Sequence, residues 1–215
     1  MKKLRTIIRW VIWTIAGLYI TTIVLLHIPA VQGFLAQKVG DVAGNKLGTE
    51  VHVGRIDLGF INRFVLDDIL IYDQSHKKML SASRVGARVD IWHLLRTGEI
   101  NISSAQLFGL RAELYKTSKD AKPNFQFVLD SLASKDTTSH TPLHLSINSL
   151  VIRHGSIKYD CLDAPTTPNK LNLNHINVSD ISSYLILNKL DDTSVWADLR
   201  ALAFKEASGL EVKQL

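Results

Sequence analysis

An uncharged stretch at residues 10–28, WVIWTIAGLYITTIVLLHI, limits what this chain can become more than any other feature. At about 1.5 Å rise per residue, a helix over it spans roughly 28 Å, close to the ~30 Å hydrocarbon core of a bilayer. A cleaved secretory signal has the same charged-then-apolar form. Its apolar region, however, runs only about 7–15 residues, and Ile28-Pro29-Ala30 is a poor small-x-small cleavage site. The stretch is therefore expected to remain as an anchor. Lys2, Lys3, Arg5 and Arg9 precede it, whereas residues 29–48 carry only Lys38, Asp41 and Lys46. The positive-inside bias then puts the N-terminus in the cytoplasm and everything after about Pro29 on the far side. Trp10 and Trp13, one turn apart near the cytoplasmic end, suit the headgroup layer and serve equally as plain hydrophobic mass.

The same flank accounts for the charge. Of the formal net +5, Lys2, Lys3, Arg5 and Arg9 supply four, in a segment without an acid. The exported part stands near +1, so the high pI gives no support for nucleic-acid binding. A single cysteine, Cys161, excludes an internal disulfide framework, and stability has to come from burial. Two sequons, Asn101-Ile102-Ser103 and Asn177-Val178-Ser179, matter only in a host that glycosylates exported proteins.

After the anchor, Val31, Phe34, Leu35, Val39, Val42, Ala43 and Leu47 recur at three- and four-residue steps, which predicts a helix from Pro29 to before Gly48. Phe34 is its only aromatic residue and its polar face is weakly basic, so it is expected to cap a β-structure and not to lie on the outer leaflet. From Thr49 the period drops to 2. Val51, Val53, Ile56 and Leu58, then Leu66, Ile69 and Ile71, then Val85, Ala87, Val89 and Ile91 read as short half-buried strands with polar turns between them. A non-strand connector at residues 92–97 leads to a longer strand pair at 99–116. The whole is expected to be antiparallel hairpins with one apolar face. Residues 117–142 break the pattern with a short helix at 124–132 between polar runs, an excursion that suits a lid or an ordinary surface loop.

The strand pattern then repeats. Ile102, Ala105, Leu107, Ala112 and Leu114 align with Ile147, Leu150, Ile152, Ile157 and Tyr159 at a constant offset of 45, with Gly109 and Gly155 near the corresponding turn. Looser passes run through Leu171, Leu173, Ile176 and Val178, and through residues 195–204. Such recurrence points to a structure extended by repetition. Residues 208–215 begin another alternating strand without a closing cap, and a longer polypeptide is expected.

The succession GTEVHVGRIDL (48–58), VLDDILIYD (65–73), ASRVGARV (82–89) and LLRTGEINI (94–102) resembles the N-terminal module of the AsmA-like superfamily. Within it, LAFKEASGL (202–210) resembles the translocation and assembly module (TamB) branch. The resemblance implies a mainly β fold: a transmembrane helix and a capping helix followed by a repeating antiparallel β-groove, the β-taco. It divides the chain into a basic flank and anchor (1–28), a capping helix (29–48), a first β-module (49–116), the excursion (117–142) and further groove repeats (143–215). It also implies a single-pass inner-membrane protein with its bulk in the periplasm, acting in outer-membrane biogenesis by moving phospholipid or assisting outer-membrane protein assembly. Its expected partners are the bilayer, phospholipid acyl chains in the groove, and a BamA-like outer-membrane barrel reached through a C-terminal region absent here.

On the physical reading, an antiparallel sheet with one apolar face and few helices has little to cover that face, which leaves it free to shelter acyl chains. Ile102, Leu107, Ile147, Leu150, Ile152 and Ile157 are the expected lining. A closed sandwich with an ordinary core, serving as a scaffold for protein clients, stands as the alternative. Catalysis has weaker support. Pro142 between His140 and His144 denies them the helical geometry of a zinc pair, so no metal site or cofactor is expected. Asp67 and Asp68, adjacent on a strand, face opposite sides unless a bulge intervenes, and a turn or strand-edge role is expected of them. Cys161 is expected to be a small packed residue.

Overall fold

The computed structural model describes residues 2–59, 62–97, 101–133, 146–167, 170–190 and 195–213. It is a mixed α/β fold with an apolar N-terminal helix and an open, mostly antiparallel sheet. Helix α1, Lys2–Leu26, contains a stretch from Thr6 to Leu26 with a mean hydropathy of 1.7, none of it buried against the protein. Helix α2, Pro29–Leu47, starts with proline at its first position, where no N–H is needed. It ends at Gly48, whose φ of 69° closes the helix in the left-handed region.

Ten strands follow: β1 Val51–Leu58, β2 Arg63–Tyr72, β3 Lys78–Val89, β4 Asn101–Phe108, β5 Arg111–Lys116, β6 Ser146–Ile147, β7 Ser149–Cys161, β8 His175–Leu190, β9 Val195–Glu206 and β10 Glu211–Val212. Two short helices interrupt them, α3 at Ile91–Thr97 and α4 at Gln126–Ala133. The sheet order is β1-β2-β3-β4-β7-β8-β9-β10, with β5 between β3 and β7 and β6 beside β4.

Two expectations need correction. The segment 99–116 is not a hairpin. β4 and β5 lie end to end in one row, both antiparallel to β3 and both parallel to the next repeat. The reason is local: Gly109, at φ 64°, kinks the chain without reversing it, and residues 117–145 supply the long crossover that a parallel pair requires. The offset of 45 seen in the sequence is the register of that pair. Ile102 stands opposite Ile147, Ala105 opposite Leu150, Leu107 opposite Ile152 and Ala112 opposite Ile157. Repeats placed side by side in register put like residues on one face. Secondly, Leu171 and Leu173 belong to the β7–β8 loop and are exposed, because β8 begins only at His175.

Helix α2 packs on β1, as expected of a capping helix, but by an unexpected face. Its buried residues are Ala36, Gly40 and Gly44, while Phe34 and Val42 from the apolar stripe stay 59% and 68% exposed. A Cβ on Gly40 would stand 2.8 Å from the Val51 carbonyl oxygen, and one on Gly44 2.7 Å from that of Thr49. Small residues at four-residue steps let the helix backbone rest directly on the strand backbone. Ala36, Val53 and Ile56 form the core there, with Leu35, Val51, Leu58, Leu66 and Ile69 against it.

Candidate functional site

Following cross-strand partners across the sheet shows what each face carries. Leu58, Phe64, Ala87, Ala105, Leu150, Leu185 and Leu199 stand opposite one another in succession from β1 to β9. The neighbouring row on the same face is Ile56, Leu66, Val85, Leu107, Ile152, Ser183 and Leu202. A third row runs Val51, Ile71, Leu80, Ala112, Ile157, Val178 and Glu206. Val51 and Ile56 both join the core under Ala36, so the three rows share one face. Apart from Ser183 and Glu206 every position is apolar, and most of these side chains are only half-buried.

The second and third rows are five residues apart on every strand row from β1 to β8, an odd step that a period-2 strand cannot take while keeping its face. Each of four strand rows carries a residue with positive φ inside that step: Asp68, Gly109, His154 and Asp180. At these positions the regular ladder is interrupted. Asp68 is skipped in the β2–β3 ladder, and the β7–β8 register shifts on either side of Gly155. A left-handed residue breaks the period-2 alternation of its strand, so the alignment of the four marks a crease line across the sheet with the apolar rows on both sides of it. At Gly109 a Cβ would come 2.6 Å from the Ser83 hydroxyl oxygen, so a side chain there requires Ser83 to move. The His154 ring meets Phe108 edge-on, with centroids 5.1 Å apart.

The opposite face is polar. Its central row is Arg55, Asp67, Arg84, Phe108 and Arg153. Arg84 Nε donates to Asp67 Oδ1 at 2.7 Å and Arg55 Nη2 to Oδ2 at 2.8 Å. Chiefly through the Arg84 bond, they hold the Asp67 carboxyl below its ordinary range despite its burial. Asp67 is thus a structural ion-pair residue, and Asp68 is one of the positive-φ residues on the crease line. A shallow cavity of ≈ 500 Å³ opens along the crease, lined among others by His52, Asp68, Lys78, Ser81, Arg111 and Glu113, a mixture of both charges.

At the far ends of the strands two polar knots close the loops. Asp73, 2% exposed, accepts from the backbone N–H groups of Ser75 and Lys77, the Tyr115 hydroxyl and the Asn124 amide. Burial opposes its charge, but these four donors together hold its pKa below the ordinary value. His175 lies between Asp160, 3.1 Å from Nδ1, and the Ala164 carbonyl, 2.9 Å from Nε2. The carbonyl first, and Asp160 with it, favour the imidazolium and raise its pKa. Cys161 is buried, and its thiol donates to Asp163. No pattern in the sequence marked Asp73 or His175, because the Tyr115 and Asn124 donors to Asp73 and the Asp160 and Ala164 partners of His175 lie 11 to 51 residues away. The stripe Ala36, Gly40, Gly44 was visible as A-x-x-x-G-x-x-x-G.

Of the expected lining residues, Ile102 and Ile147 face each other across β4 and β6, and Leu107, Leu150, Ile152 and Ile157 lie in the apolar rows. The side chain of Ile147 lies outside the described residues, as do those of Lys2, Lys3 and Arg5, and all of His140 and His144. Trp10 and Trp13 are exposed on α1, as is Arg9. Among the described residues no three His, Cys, Asp or Glu side chains gather as metal ligands. No protein-family model matches this chain, and no curated protein matches it.

Proposed function

We propose that the chain is a membrane-anchored β-groove protein of TamB type, placed in the inner membrane with its bulk in the periplasm, whose apolar face receives phospholipid acyl chains. The observation that carries this reading is the continuity of the apolar rows across the sheet, three of them from β1 to β8 and two reaching β9, mostly half-buried and lying on both sides of one crease line. Helix α2 covers that face only at the β1 end. At about 0.8 kcal/mol per buried methylene, one acyl chain gains on the order of 10 kcal/mol there, similar to what it leaves behind in the bilayer. Movement along such a surface is close to thermoneutral, which suits passage in outer-membrane biogenesis. Neither a catalytic group nor a cofactor is part of the reading.

A photo-reactive amino acid at Leu107 or Ile152 in the whole chain is expected to crosslink to phospholipid. The same probe at Gln106 or Arg153, on the polar face, is not. Lipid recovered from neither apolar position, or equally from both faces, overturns the reading.

One observation favours a protein client instead. Among the described residues the outer edge of β9 is paired only at Phe204 and Lys205, leaving backbone groups at 195–203 able to accept a strand. Crosslinks from this edge to unfolded barrel strands, without lipid at Leu107 or Ile152, would select a scaffold role, including one beside a BamA-like barrel.

A further inference from the structure

We propose that the end of the sheet carrying Phe34, Trp92, Arg63, Arg88 and Arg96 docks on the surface of the bilayer that α1 spans, its aromatic side chains entering the headgroup layer and its arginines meeting phospholipid phosphates. This rests on reading α1 as a membrane span and is independent of what occupies the apolar face.

The geometry starts from α2. Gly44 approaches Thr49, Gly40 approaches Val51 and Val53, and Ala36 packs with Val53 and Ile56, so α2 runs antiparallel to β1. From Ala36 back to Pro29 the helix advances about 10 Å, which brings its first turn beside the Leu58 end of β1. Only His27 and Ile28 separate Pro29 from α1, a reach of at most ~11 Å. The Leu58 end of the sheet is therefore the end tied to the membrane. β2 starts there at Arg63, and β3 ends there at Val89, whose N–H donates to the Asn62 carbonyl. Helix α3 follows at once.

What this end displays is costly in water and useful at a bilayer surface. Trp92 is 71% exposed on α3, and Phe34, near the start of α2, is 59% exposed. Aromatic side chains gain most where an apolar layer meets a wet one. Arg63 and Arg88 stand directly opposite each other on β2 and β3, a like-charge pairing that weakens a sheet, and neither forms an ion pair among the described residues. Arg96 adds a third exposed guanidinium on α3. Phosphate oxygens accept from guanidinium groups two at a time, and a headgroup layer between these arginines removes the repulsion.

The test uses the whole chain in vesicles of equal parts phosphatidylcholine and phosphatidylglycerol, with Cys161→Ser and one nitroxide per protein. Labels at Phe34→Cys and Trp92→Cys are expected to collide several-fold more with oxygen, relative to a water-soluble nickel chelate, than labels at Leu162→Cys and Leu210→Cys at the opposite end. Arg63→Gln with Arg88→Gln is expected to move the label at position 34 toward the aqueous value. Labels at 34 and 92 that read like those at 162 and 210, while one at Ile15→Cys in α1 reads as embedded, overturn the docking and leave the span standing. An aqueous reading at Ile15 overturns both. An unchanged reading at 34 in the double arginine variant overturns the phosphate contact.

Discussion

Asp73 shows how much one buried carboxylate can organise. Its four donors come from the β2–β3 turn, from β5 and from the start of the excursion, so a single group ties three segments far apart in sequence. Because its folded pKa lies below the unfolded value near 3.9, its contribution is fully present above that pH and is lost as pH falls through the lowered value. Replacing it with Asn removes the charge and turns one acceptor into a donor facing donors. Asp73→Asn is expected to cost about 1–3 kcal/mol at neutral pH, read as a lower urea midpoint. The variant is also expected to lose less of its stability on acidification than the native chain. Equal acid sensitivity of the two would place the titrating group elsewhere.

At the scale of the element, α2 separates hydrophobic pattern from packing. The pattern gave its length and its proline and glycine boundaries, yet the face that packs is the small-residue one. A glycine in mid-helix costs up to about 1 kcal/mol relative to alanine, so two of them against β1 have to be offset by closeness of approach. Gly40→Ala is expected to push α2 off the Val51 carbonyl and destabilise the chain by about 1–3 kcal/mol. Gly33→Ala, with nothing within 4 Å of its new Cβ, is expected to be neutral or stabilising by up to about 1 kcal/mol. Thermal unfolding of both variants checks this, and a Gly40→Ala protein as stable as the native one would show that α2 does not need the close contact.

At the scale of the molecule, the two ends of the strands differ in kind. One end is joined to α1 and carries aromatic and arginine side chains; the other carries the Asp73 and His175 knots. On the proposed orientation, with the N-terminus cytoplasmic, the whole sheet would lie on the far side of the membrane. In intact cells of a two-membrane host, a membrane-impermeant maleimide is expected to label Leu162→Cys once the outer membrane alone is permeabilised. Labelling only after the inner membrane is broken would reverse the orientation.

What the sequence determined alone is what depends on neighbours along the chain. Helix and strand periods, Pro29 and Gly48 as boundaries, the apolar span, and the repeat at offset 45 all follow from local sterics and one-dimensional hydrophobic spacing. Even the crease left a trace, in the five-residue steps Leu107 to Ala112 and Ile152 to Ile157. The tertiary structure decided the rest. An offset between two segments does not say whether they pair, and a long crossover made them parallel neighbours where hairpins were expected. Which face of α2 packs was settled by how closely two backbones can approach. Apart from the two turn N–H groups on Asp73, the Asp73, Asp67 and His175 contacts join residues 11 to 51 positions apart, and only the folded chain brings such groups within hydrogen-bond distance.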